Sequence, residues 1–212
     1  MERGDEQRRQ AVLEAAWHVF AEHGFARGQL TAISERCHVS TATIYKFYPG
    51  KEQLFLAAFE HALRRFDGVA TAAEATADPI EALHLAARSY AGLLNRRSTR
   101  QLMRQQIAQN TPAAGPGRAT GNAVRAKVES FFVPILQRCA RAGLIDERNV
   151  YRAHALIAGF IEHQTLTFGL VIDETKTAHF SGDDLAGEAV RAALLAYGLQ
   201  TRPVVALERE LV

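Results

Sequence analysis

Residues 41–48 read Thr-Ala-Thr-Ile-Tyr-Lys-Phe-Tyr, a run of β-branched and aromatic side chains that favours strands. Helical patterns flank it on both sides, and that conflict constrains the fold. As a strand, one face would hold Thr41, Thr43, Tyr45 and Phe47, the other Ala42, Ile44, Lys46 and Tyr48. Neither face is cleanly apolar, and a lone strand cannot satisfy its backbone. As a helix the run has a start, because Ser40 is a preferred N-cap whose hydroxyl accepts from an amide of the first turn. Val39, Ile44 and Phe47 or Tyr48 then face the preceding helices, while Thr41, Thr43, Tyr45 and Lys46 face outward. Pro49-Gly50 ends it, since a proline pushes the residue before it out of helical geometry.

The rest of the chain reads as helices divided by breakers, without hairpin turn signals between alternating runs. Residues 6–23 carry Val12, Leu13, Ala16, Trp17, Val19 and Phe20 at helical spacing, with Gly24 ending the pattern. A short helix follows at about 30–37, with Leu30, Ile33 and Cys37 on one side. From Lys51 a long helix runs to about residue 68, with Phe55, Phe59, Ala62, Leu63 and Phe66 as its apolar face. Asp78-Pro79 is a start signal, with Asp as cap and Pro at the first helical position. That helix reaches about residue 95, and another covers about 99–110. Residues 111–122 form a Pro/Gly loop. A helix then extends to about Ala142, with a kink or break expected at Pro134 and a cap at Gly143. Two more, at about 148–171 and 183–199, close an all-α fold of about nine helices. The organisation is a short helical unit over residues 1–50, completed by the start of the helix from Lys51, and a longer unit over residues 51–212.

Composition limits what such a chain can do. Of its 212 residues 48% are apolar, enough for a core, and the formal net charge is only +2, so a nucleic-acid surface has to be a local patch. No apolar run approaches the ~18 residues of a membrane span. The N-terminus lacks the apolar stretch of a signal peptide. A cytoplasmic protein without membrane partners is expected. Cys37 and Cys139 sit in helical patterns, where a small buried hydrophobe is the ordinary reading. His154 and His163 lie nine apart on one predicted helix, a poor spacing for one metal, and no catalytic or dinucleotide motif occurs. No enzyme activity, metal or cofactor is expected.

Two short helices joined by a tight turn, the second offering small polar side chains, make a helix-turn-helix. Hydroxyls and ammonium groups on such a helix suit base edges and phosphates, and threonine methyls pack on thymine methyls. The charge agrees locally: Arg36, Lys46 and Lys51 are the charged residues from position 36 to 51, and none is acidic. The segments VLEAAWHVFAEHGF (12–25) and LTAISERCHVSTATIYKFYPGKEQLF (30–55) resemble the N-terminal domain of TetR-family transcriptional regulators. The resemblance implies that Ser40 caps a recognition helix. It implies that Thr41, Thr43 and Lys46 meet base edges or the adjacent backbone, and that Tyr45 and Lys51 contact phosphates. Gln29 stands where the family usually has a phosphate-touching threonine. His38 stands where the family usually has glycine, in a turn that needs a left-handed residue, and it lies beside the expected phosphates.

The resemblance also implies a homodimer on palindromic operator DNA, paired through the last two helices. Ile157, Ile161 and Phe168 on one, and Leu185, Ala189, Ala192, Ala193 and Ala196 on the other, are the expected interface. Rings, flexible apolar side chains and a few polar groups in the middle helices suit a small-molecule pocket. Its candidates are Phe59, Phe66, Tyr90, Met103, Arg104, Ile107, Phe132, His163, Gln164 and Phe168. A ligand-responsive repressor follows, the helix from Lys51 acting as a lever between pocket and DNA. The alternatives are a metal- or redox-responsive regulator on the same fold, using Cys139 and histidines, or a regulator that also activates.

Overall fold

A computed structural model describes residues 2–64, 67–109, 117–167 and 182–199. Among them ten α-helices form, with a 3-10 turn, a π turn and no strand: α1 (Glu2–Arg27), α2 (Leu30–Cys37), α3 (Thr41–Phe47), α4 (Lys51–Leu63), α5 (Asp67–Glu74), α6 (Pro79–Leu94), α7 (Arg97–Gln109), α8 (Gly117–Arg141), α9 (Val150–Glu162) and α10 (Gly182–Tyr197). The stretch at 41–48 is helical. No helix among the described residues is long and apolar enough to cross a membrane.

The chain divides into two compact units. The first comprises residues 1–67 and 95–127, the second 68–94 and 128–212. In the first, α1 packs against α2, α4 and α7, and α2 against α3. Its centre is aromatic: Phe55 lies 5.2 Å from Phe20 and 5.1 Å from Phe25, and Trp17 meets Phe59 edge-on at 6.4 Å. The stripe read from Val12 to Phe20 is the buried face of α1. Gly24 has φ 78° and ψ 166° and puts a kink before the last residues of α1. Side chains other than hydrogen clash in that conformation.

In the second unit α10 packs on α9 and α6, and α6 on α9. Asp78 caps α6 as its sequence signal predicts, its carboxylate accepting from the Ile80 amide at 2.8 Å. Gly143, at φ 72°, closes α8, and the Leu144 amide donates to the Cys139 carbonyl at 3.0 Å. A single antiparallel bridge joins Ile145 to Gly198, with the Leu199 amide bonded to the Leu144 carbonyl at 3.0 Å.

Boundaries differ from the sequence reading, most at three places, and α1 also runs from Glu2 to Arg27 across the Gly24 kink rather than over 6–23. The helix from Lys51 ends at Leu63 rather than near residue 68, and α5 is a separate helix with Asp67 in its first turn, where a carboxylate complements the helix dipole. The α8 helix starts at Gly117, so residues 117–122 are helical rather than loop. It also continues through Pro134, which sits on an exposed side. Finally, α9 ends at Glu162 and passes into a π turn over His163–Thr167; residues 168–171 lie outside the described set.

Candidate nucleic-acid interface

The local chemistry of residues 28–51 builds a two-helix head. Ile33 anchors α2 and Ile44 anchors α3, both with no exposed surface, and Val39 is buried between them. The turn is made by His38, the one described non-glycine residue at positive φ (56°, ψ 31°). Histidine is among the residues enriched in this left-handed region, so the turn forms without glycine. Ser40 then caps α3: its hydroxyl accepts from the Thr43 amide at 3.2 Å and lies 2.9 Å from the Thr43 hydroxyl. Such a cap contributes about 1 kcal/mol, which matters for a helix of two turns that propensity alone cannot hold.

With Ile44 inward, the opposite side of α3 is the outward one. Tyr45 is 51% exposed, Lys46, His38, Ser40 and Gln29 are exposed, and Thr41 and Thr43 are half-buried. Gln29 occupies the N-cap of α2 in extended backbone without a side-chain cap bond. Lys51 starts α4 and reaches back, its ammonium donating to the Ala26 carbonyl at 2.9 Å and lying 5.2 Å from the centre of the Phe25 ring. An ammonium has three donors, so this tether leaves others to point outward. The structure therefore brings the eight candidate DNA residues onto α3 and the helix ends around it.

The candidate effector residues are not brought together in that way. Phe59 belongs to the aromatic core of the first unit, and Met103 is buried on α7 of the same unit. Ile107 is 59% exposed on that helix, and Arg104 is exposed. Tyr90 and Phe132 meet edge-on at 5.6 Å inside the second unit. His163 is exposed and Gln164 half-buried in the π turn. Phe66 and Phe168 lie outside the described residues. The sequence reading passed over the polar groups that accompany Tyr90. Its hydroxyl donates to a Glu162 carboxylate oxygen at 2.6 Å. His154, 9% exposed with its Nε2 buried, sits 6.0 Å from the Phe132 ring. Burial keeps His154 below its ordinary pKa and pushes Glu162 above its own, against the lowering effect of the tyrosine hydrogen bond.

The raised Glu162 gives a signed expectation. A carboxyl whose folded pKa exceeds its unfolded value of 4.5 favours folding in its protonated form. That contribution is present at low pH and is lost as pH rises through the folded pKa. Glu162→Gln keeps an acceptor for Tyr90 and removes the buried charge. It should raise stability at pH 7, and the gain should vanish below pH ~4.5. Urea midpoints of both proteins from pH 4 to 8 check this.

The expected dimer residues differ in exposure. Ile157, Ile161, Leu185, Ala189 and Ala193 are buried within their own unit, so they have no surface to offer a second copy. Ala192 is half-buried and Ala196 exposed. The large apolar side chains exposed there are Tyr151 on α9, Leu195 on α10 and Leu199 just beyond it, at 62%, 60% and 46%. The bridge from Gly198 to Ile145 holds the end of α10 near the start of α9, which gathers these three at one end of the pair.

Comparison with known proteins places this geometry. Residues 12–58 match the sequence profile described as "Bacterial regulatory proteins, tetR family". The HTH-type transcriptional regulator LuxR of Vibrio harveyi is 37% identical over 59 residues, which are 28% of this chain and 29% of LuxR. The match thus spans under a third of that curated relative. Solved structures extend the fold further. A TetR-family regulator from Mesorhizobium loti superposes with TM-score 0.72 at 20% identity, covering 92% of this chain and 98% of its own. FadR of Bacillus subtilis, solved with stearoyl-CoA, gives TM-score 0.67 at 18% identity over 87% and 96%. The N-terminal residues 12–58 thus match the profile of the TetR family, and the helical fold is that of a solved TetR-family regulator.

Proposed function

We propose that the protein is a ligand-responsive transcriptional repressor that binds palindromic operator DNA as a homodimer and is released by a small-molecule effector. The observation that carries this reading is the outward face of α3: exposed Tyr45 and Lys46 beside Thr41 and Thr43, on a helix anchored by Ile44 and capped by Ser40. Residues 1–50, completed by the start of α4, read the DNA; residues 51–212 hold the effector and pair the two copies. Small side chains let α3 sit close to base edges, while Gln29, His38, Tyr45 and Lys51 meet phosphates around it. Tyr90, Glu162 and Phe132 supply the mixture of rings and polar groups that a small-molecule pocket needs. FadR's complex with stearoyl-CoA supports small-molecule control on this fold. An effector acts only by binding two conformers unequally.

Cys139 weighs against redox control through that thiol. It is fully buried and pushed up to about 11 by that burial, whereas reactive cysteines are exposed thiolates.

The direct test is enrichment of bound duplexes from a randomised DNA pool, followed by footprinting of the winner. Paired half-sites spaced by about one or two helical turns are expected, with affinity that falls steeply with salt. Enrichment of no sequence would sink the reading. The dimer part is checked separately. Leu195→Glu places a charge at an exposed apolar position of α10, and should weaken self-association about tenfold or more. Sedimentation velocity reads this as a shift from dimer to monomer at micromolar protein.

A further inference from the structure

We propose that Arg9, on the first helix, is a positioning residue that sets the angle of the recognition helix by stacking on Phe47. This rests on the DNA-binding reading above and adds to it a residue outside the helix-turn-helix. The argument starts from how little holds α3. It has seven residues, too few to be stable alone, and Ile44 is its one fully buried side chain. One buried anchor fixes a pivot but leaves the direction of the helix free. The N-terminal end is tied by the His38–Ser40 turn and the cap onto Thr43. A second tie has to come at the other end, beside Lys46.

That end carries Phe47 and Tyr48, whose rings meet edge-on at 6.5 Å, and the guanidinium of Arg9 lies 4.6 Å from the Phe47 ring centre. Arginine is suited to this, because its planar cation stacks on ring faces where lysine offers only a point charge. It also lies where a cation complements the C-terminal end of the α3 dipole. The neighbouring groups hold α1 in register with α4. Arg64 donates to the Gln10 side chain at 2.9 Å and also contacts His61, which lies 3.0 Å from a Glu14 carboxylate oxygen. Burial raises the Tyr48 pKa, the nearby Arg9 and Arg64 charges opposing it and Glu6 adding to it. The helix that carries Arg9 is therefore fixed to α4 on one side and to the end of α3 on the other.

The test uses the full-length protein and a duplex that the wild type itself enriches from a randomised pool. Arg9→Ala, Phe47→Leu and the double variant are compared for affinity to that duplex and to a scrambled one, across a salt series. Circular dichroism melting shows that each variant is folded. A stack at an exposed site accounts for about two- to fivefold. Each single variant should lose about that much affinity for the selected duplex, with little change for the scrambled one. The double variant should lose no more than either single, because the two residues act as one unit. The salt slope should stay unchanged. Arg9→Lys should fall between wild type and Arg9→Ala. Multiplicative losses, a slope lowered by about one, as for a phosphate contact, or equal losses on both duplexes would overturn the inference. A wild type that enriches no sequence would remove the DNA-binding reading and this inference with it, a result distinct from a wild type that binds while Arg9→Ala binds equally well.

Discussion

Phe55→Ala should destabilise the N-terminal unit by about 3–5 kcal/mol, the range for removing a buried ring. Phe55 is 1% exposed and its ring contacts Phe20, Phe25 and Phe59 at 5.2, 5.1 and 6.1 Å. Deleting it leaves a void bounded by rings from α1 and α4, and rigid rings at fixed positions collapse poorly into empty space. Phe25 would lose a wall, and with it the stack beneath the Lys51 ammonium. A domain has only about 5–15 kcal/mol to lose, so operator binding should fail through unfolding near physiological temperature. Trp17 is the single tryptophan of the chain and packs on Phe59. Its fluorescence therefore follows this unit during urea unfolding. Ile107→Ala, on an exposed site of the same unit, should move the midpoint by under ~0.5 kcal/mol. Equal midpoints for the two variants would contradict the aromatic core described here.

Much of the reading head was legible in the sequence because its signals are local. Ser40 and Thr43 are three residues apart, and a cap is a three-residue interaction. The left-handed turn at residue 38 was legible through the family resemblance, which puts glycine where this chain has histidine. The second unit depends on partners far apart in the chain. Tyr90 and Glu162 are separated by 72 positions, and neither side chain announces the other. The burial of the expected interface residues was hidden for a different reason. Alanines at 186, 189 and 193 are buried, whereas Ala192 is half-buried and Ala196 exposed. Alanine suits a core and a close helix contact equally well, so an alanine-rich helix has no pattern that tells its inner face from its outer one. Tyr151 and Leu195 stand out instead as large apolar groups off the buried stripe. The end of α4 was hidden too, because Phe66 extends the apolar spacing of a helix that stops at Leu63.

Replacing Tyr45 and Lys46 together by alanine should weaken specific DNA binding about 100-fold while leaving the fold intact. Both side chains are exposed and neither contributes to the core around Ile44, so the melting temperature should move by under ~2 °C. Each contact to a base edge contributes about 1–3 kcal/mol. A tyrosine on a phosphate fixes register rather than sequence. The pair should therefore cost on the order of 100-fold in operator affinity. The two single variants separate the roles. Lys46→Ala, if the ammonium pairs with phosphate, lowers the salt slope by about one; if it reads a base, the slope holds and discrimination at that position relaxes. Tyr45→Phe removes the hydroxyl and keeps the ring, so loss in Tyr45→Phe equal to that in Tyr45→Ala assigns the contact to the hydroxyl. Thr43 makes a poor substitute for these tests, because its amide and hydroxyl both meet Ser40 and its replacement perturbs the cap as well as the surface. A double variant that is folded and still binds the selected duplex with wild-type affinity would move the DNA interface off α3 altogether.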